Sequence, residues 1–264
     1  MRYVAEHNLY YFAERFMKKT ILQFIKWVVI IFAFPLIYFL YWLIFPTSIY
    51  YPSLGIAVPK NYSVHGIDVS HHNGNINWRE VADMKTGHVQ ISFAFLKATQ
   101  GRYYKDWTYI INSKRAKNAG IIKGAYHYFE PGVDPEKQAK NFINYAKLKS
   151  GDFPPVLDVE ENNGMSKSAL REKVRKILTL WEKEYQTKPI LYCNADYYQK
   201  FFNDGFEQYP VWVAHYYTRK PRIHPTRWTF WQHNDGGNVN GIETKTDYNV
   251  FNGSLQELRE ICLD

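Results

Sequence analysis

From Trp27 to Phe45 the chain reads WVVIIFAFPLIYFLYWLIF, 19 positions without a charge. That is close to the ~20 apolar residues a helix needs to cross a bilayer. Pro35 would kink a water-soluble helix but is tolerated in one surrounded by lipid. Tyr38, Tyr41, Trp42, Tyr50 and Tyr51 crowd its later half and the residues beyond, as aromatic rings do at a membrane interface. Arg2, Arg15, Lys18, Lys19 and Lys26 precede the run, against Glu6 and Glu14. This asymmetry orients the N-terminus to the cytoplasm and the rest to the periplasm or exterior, in a single pass. The run exceeds a signal-peptide core, and Pro46 to Tyr50 offers no small-residue cleavage site, so an uncleaved anchor is expected. The chain then divides into a basic cytoplasmic segment 1–26, a transmembrane anchor 27–45, a linker 46–62 with Pro52, Gly55 and Pro59, and a folded domain 63–264.

Within that domain the pattern changes to short β-rich runs, near 64–69, 89–98, 121–129, 153–160, 189–194, 211–214, 228–232 and 246–250. Helical patterns over 107–118, 135–148 and 167–185 fill most of the early gaps, which is the βα alternation of a parallel sheet. After Pro189 the runs come too close for a helix in each gap. The pattern predicts an α/β fold, a TIM-like barrel whose last third has lost its helices. An open doubly wound sheet competes, but no glycine-rich phosphate loop follows the first strand.

Composition narrows the chemistry. Hydrophobic residues are 46% of the chain, which excludes a disordered polymer. Lys and Arg outnumber Asp and Glu by 33 to 25, which favours an anionic partner. The 22 Tyr and 8 Trp supply flat apolar faces with polar edges, suited to sugar rings, interfaces and cores alike. Two cysteines make no disulfide framework and match no zinc pattern. Barrel chemistry sits at the C-terminal ends of the strands, and here those ends carry Asp68, Asp158, Glu160 and Asp247. Asp158 and Glu160, at i and i+2, share one strand face. Two desolvated carboxyls that close cannot both ionise, so one pKa rises. A raised acid beside an ionised carboxylate is the equipment for cleaving a glycosidic bond. Asp68 and Asp247 join them where the first and last strands of a closed barrel meet, and Lys97 is a candidate counter-charge. A metal site of three carboxylates with His71 or His127 competes, but no second histidine sits at a ligand-like strand position.

Gly66-Ile67-Asp68-Val69-Ser70-His71-His72-Asn73-Gly74, with Ile76-Asn77-Trp78 after it, resembles the opening motif of glycoside hydrolase family 25, the Chalaropsis-type lysozymes or N-acetylmuramidases. The segments Phe93 to Thr99, Gly124 to Phe129, Pro155 to Glu160, Trp231-Gln232 and Asp247 to Phe251 resemble its later strands in order. The resemblance implies a modified barrel, (β/α)5(β)3, and hydrolysis of the β-1,4 bond between N-acetylmuramic acid and N-acetylglucosamine. It implies Glu160 as general acid, Asp158 as its stabilising or orienting partner, and Asp68 and Asp247 as supporting aspartates. Peptidoglycan glycan strands are then the partner, with Tyr126, Tyr128, Tyr192, Trp212, Trp231 and Gln232 as candidate substrate-binding residues. No cofactor, metal or nucleic acid is expected, and the enzyme is expected to be a monomer on a membrane anchor. Gln100, Asn77 and His233 depart from the family pattern, but none is among the four carboxylates. A non-catalytic peptidoglycan-binding module and a hydrolase of chitin-like polymers remain the alternatives.

Overall fold

A computed structural model describes residues 2–44 and 46–264, which divide after Thr47 into two units. The first is one helix, α1 (Arg2–Ile44), with Pro35 inside it. Over Glu14–Tyr41 it is long and apolar enough to cross a membrane, with a mean hydropathy of 2.1. A signal sequence at this end of a chain would pass the same test of length and composition. Phe45, the last residue of the expected anchor, lies outside the described residues, as does Met1.

The second unit is built on eight strands: β1 (His65–Val69), β2 (Val89–Gln100), β3 (Ile122–Tyr128), β4 (Val156–Asp158), β5 (Ile190–Asn194), β6 (Val211–Ala214), β7 (Phe230–Val239) and β8 (Ile242–Phe251). Each pairs with the next in chain order, and β8 returns to β1, so the sheet closes into a barrel. Strands β1 to β7 are parallel to their neighbours, while β8 runs antiparallel to both β7 and β1. Helices α2 (Trp78–Asp83), α3 (Tyr109–Asn118), α4 (Pro135–Ala146) and α5 (Lys167–Tyr185) follow the first four strands. Their starts are written in the sequence. Asp134 caps α4 through the Lys137 amide with Pro135 in its first turn, and Ser166 caps α5 through the Ala169 amide. After β5 there is only a turn, Ala195–Tyr197, running into a π-helical turn, Tyr198–Phe202.

Alternation sorts the strand side chains into two cores. Phe93, Phe95, Phe153, Trp212 and Phe230 fill the barrel interior, with Phe95 stacked on Trp212 at 4.4 Å between centroids. Interior-facing Gly66 and Gly124 make room for them: a Cβ would lie 2.4 Å from the Phe93 ring at the first and 2.8 Å from the Phe95 ring at the second. Leu96, Leu157 and Leu191 face outward into a second core shared with the helices.

The expected linker is folded instead. Ser48–Tyr51 and Ile56–Pro59 form an antiparallel hairpin, and its Leu54, Ile56 and Val58 are buried with Trp231, Tyr248 and Val250. The physical reason lies in the missing helices. The outer faces of β7 and β8 carry large apolar side chains with no helix to cover them, and the hairpin covers them. The Asn238 amide on β7 fixes it by donating to the Leu54 carbonyl, 2.8 Å.

Candidate active site

The four carboxylates converge on the C-terminal mouth of the barrel. Asp158 ends β4, buried, and Glu160 stands two residues beyond, exposed on the rim. Asp68 lies on β1 directly across from Asp247 on β8. The last strand was expected to bring Asp247 at its end, like the others. Because β8 is antiparallel, Asp247 comes from mid-strand, and the half of β8 nearer its start reaches the mouth.

Amides hold Asp68 in place. Its Oδ2 accepts from Gln232 Nε2 at 2.7 Å and from Asn249 Nδ2 at 2.8 Å. The Gln232 carbonyl in turn accepts the hydroxyls of Tyr192, 2.7 Å, and Tyr216, 2.8 Å. The Asn249 carbonyl accepts Trp212 Nε1, 2.8 Å. Burial raises the pKa of both Asp68 and Asp247, and the hydrogen bond between them raises Asp247 while lowering Asp68. The two amide donors favour the ionised form of Asp68, so of the two carboxyls Asp247 is the one held higher.

Asp158 is raised well above the usual carboxylate range, first by burial and then by Glu160, with Lys97 opposing. Its Oδ1 is buried without a hydrogen-bond partner. Glu160 is also raised, chiefly by partial burial and then by Glu161, against the pull of Lys97 and the Tyr192 hydroxyl. Partial desolvation, more than neighbouring charge, lifts Glu160, and the stronger rise falls on the deeper Asp158. Lys97, half-buried, is the counter-charge. A register shift between Lys97 and Thr99 bulges β2 at Ala98 and returns Gln100 to the lysine's side, where its Oε1 accepts from Lys97 Nζ at 2.8 Å. Gln100 Nε2 donates onward to Glu130, 3.0 Å.

The aromatic candidates separate by depth and face. Tyr126 and Tyr128 keep partly exposed rings near the mouth, with the Lys97 ammonium 5.0 Å from the Tyr128 ring centroid. Tyr192 and Trp212 are buried supports, in contact with each other at 4.4 Å. Gln232 is a buried brace for Asp68 rather than a free sugar contact. Trp231 is not in the site. It points out of the barrel, fully buried against Tyr62 and Trp228, and its Nε1 donates to the His215 carbonyl, 2.9 Å. The histidines of the metal reading are also engaged elsewhere. His127 faces outward between Gln138 Oε1 at 3.2 Å and the Thr99 hydroxyl at 2.7 Å, and His71 Nδ1 binds Asp106 at 2.9 Å. Sequence reasoning missed Asn249 and Tyr216. Asn249 carried a usable signal, since it lies two residues from Asp247 on one strand and so faces the same way.

The profile of Glycosyl hydrolases family 25 matches residues 67–242. The YegX protein of Escherichia coli K12 is 42% identical over 207 residues, 78% of this chain and 76% of its own. Lysozyme M1 of Streptomyces globisporus is 35% identical over 211 residues, 74% of this chain and 70% of its own. The crystal structure of the bacterial lysozyme from Streptomyces coelicolor superposes with a TM-score of 0.69 at 33% identity, covering 76% of this chain and 97% of that one.

Proposed function

The chain belongs to family 25 of the glycosyl hydrolases, and from that premise we propose that it is a muramidase acting on peptidoglycan, with Glu160 as its general acid. In this reading it cleaves the β-1,4 bond between N-acetylmuramic acid and N-acetylglucosamine. The observation that carries it is the pairing at the mouth: an exposed, raised Glu160 beside a buried, raised Asp158, above the Asp68–Asp247 pair. Glu160 reaches solvent, so it can meet a glycosidic oxygen, and its raised pKa keeps a proton available to it. Asp158 has an oxygen waiting for a donor. An acetamido N–H placed there favours the ionised form of Asp158, whose negative charge in turn favours a proton on Glu160. The ionised Asp158 then stabilises the positive charge that develops at the sugar. Asp68 and Asp247 form the floor, and Tyr126 and Tyr128 offer ring faces to the glycan.

The apolar helix anchors the enzyme in this reading, with its basic N-terminal flank in the cytoplasm and the barrel on the far side, periplasmic or extracellular. The test of the reaction is digestion of purified peptidoglycan, followed by borohydride reduction of the new ends. Reduced N-acetylmuramic acid is expected. Exclusive formation of reduced N-acetylglucosamine overturns the bond assignment. Extraction of membranes at alkaline pH tests the anchor, and a protein released to the supernatant speaks against it.

A further inference from the structure

The segment after β2 turns apolar side chains outward. Tyr103 is 71% exposed, Trp107 70%, Ile110 55% and Ile111 49%. Ile110 and Ile111 lie in the first turn of α3 with Lys114 and Arg115 one turn further on at i+4, and Trp107 stands two residues before the helix. Arg102, Lys105 and Lys117 are exposed around it. From Gly101 to Phe129 the sequence holds a single acid, Asp106, and that side chain is fully buried.

The exposure is built in rather than slack. The Asp106 carboxylate accepts from the His71 amide and ring, and from the Thr108 amide and hydroxyl. Its own backbone N–H donates to Ala98 on β2, and its carbonyl accepts the Tyr145 hydroxyl. Asn141 on α4 donates to the carbonyls of Gly101 and Tyr104. The turn is pinned on its inner side, and the large apolar groups are held away from the core.

We propose that this face is a docking surface for an anionic lipid bilayer. Exposed Trp and Tyr rings, branched aliphatics and several exposed cations together match the chemistry of a membrane interface. The paired isoleucines favour lipid over glycan, because they offer neither a flat ring face nor a polar edge to a sugar. Chain length agrees. Only residues 42–47 separate the end of the candidate span at Tyr41 from the first hairpin strand at Ser48. Their reach is at most about 25 Å even when fully extended, so the chain between a span and the folded domain is short. The proposal rests on the anchored reading above, and the experiment separates the two.

The full chain carrying Cys262→Ser and Ile110→Cys takes a spin label at position 110; Cys193, fully buried, stays unlabelled. It is reconstituted into vesicles of phosphatidylcholine, with or without about a third phosphatidylglycerol. Flotation at high salt reports the anchor, and collision of the label with an aqueous nickel chelate reports docking. In anionic vesicles nickel accessibility is expected to fall severalfold. About 1 M salt, where the Debye length is about 3 Å, should restore it. A label placed by Lys176→Cys on α5 should stay aqueous throughout. A protein that floats while its position-110 label collides with nickel equally in both vesicles refutes the docking and leaves the anchor standing. Protection of the label by soluble peptidoglycan fragments without lipid also refutes it, in favour of a glycan platform.

Discussion

Replacing Asp247 by Asn should change how stability depends on pH, while leaving the mouth assembled. Burial and the neighbouring Asp68 carboxylate raise the pKa of Asp247 to about 9 in the folded protein, so a proton on Asp247 facing Asp68 is the expectation at neutral pH. In the unfolded chain it titrates near 4. The folded state therefore binds one more proton than the unfolded state from about pH 4 up to the raised folded value. A group of this kind contributes stability that is fully present below the unfolded pKa and is lost as pH rises through that window. The loss is about 1.4 kcal/mol per pH unit for one proton, or about 3 kcal/mol between pH 5 and pH 7. An Asn side chain keeps an N–H to donate to Asp68 and cannot titrate, so that loss disappears. The assay is denaturant unfolding of the full chain in mild detergent, followed by barrel tryptophan fluorescence at half-unit steps of pH. The wild-type minus variant difference should slope by about one proton across the window, with Asp247→Asn the more stable at neutral pH. Parallel profiles would mean that Asp247 is ionised in the folded mouth, and the reasoning fails. Asp68→Asn is the contrasting change. Its carbonyl oxygen can still accept from the Gln232 and Asn249 amides, which both donate to the single oxygen Oδ2 of Asp68, while its N–H replaces the carboxylate that faced Asp247, so the effect should fall on Asp247 and not on the two amides.

Glu160→Gln should lower turnover about 10²–10⁴-fold with an unchanged melting transition, measured by release of reducing ends; wild-type turnover would remove the residue from the chemistry. Tyr128→Ala should raise KM for glycan fragments, whereas Trp231→Phe should leave KM alone and lower stability. The opposite pattern would return Trp231 to the sugar site. Ile56→Ala should cost about 2–5 kcal/mol, as a core truncation does. A change under about 0.5 kcal/mol, typical of a surface position, would make the hairpin an ornament rather than a cover.

Period-2 alternation is a local property, which is why all eight strands were legible before the fold was known. Trp231 shows what the same rule forbids. It was grouped with Gln232 as a sugar contact, yet adjacent residues on a strand face opposite ways, so one of the two had to point out of the barrel. The buried brace from Gln232 to Asp68 decides which. Applied forward, the rule pairs Asn249 with Asp247 and would have added it to the site. Other features depend on closure, and no local pattern carries them. The bulge at Ala98 puts Gln100 beside Lys97, and a regular count along β2 would have turned it outward. The hairpin at 48–59 reads as a linker because Pro52 and Gly55 interrupt it, and its need appears only when β7 and β8 are seen to lack helices. The placement of the proton is of the same kind. Two carboxyls at i and i+2 imply that one is raised, but which one follows from depth. Strand β4 ends at Asp158, which leaves that carboxyl inside the mouth and Glu160 on its rim. Depth gives Asp158 the stronger hold on a proton, and exposure gives Glu160 the access to deliver one. A muramidase reading needs both properties, and it needs them on different residues.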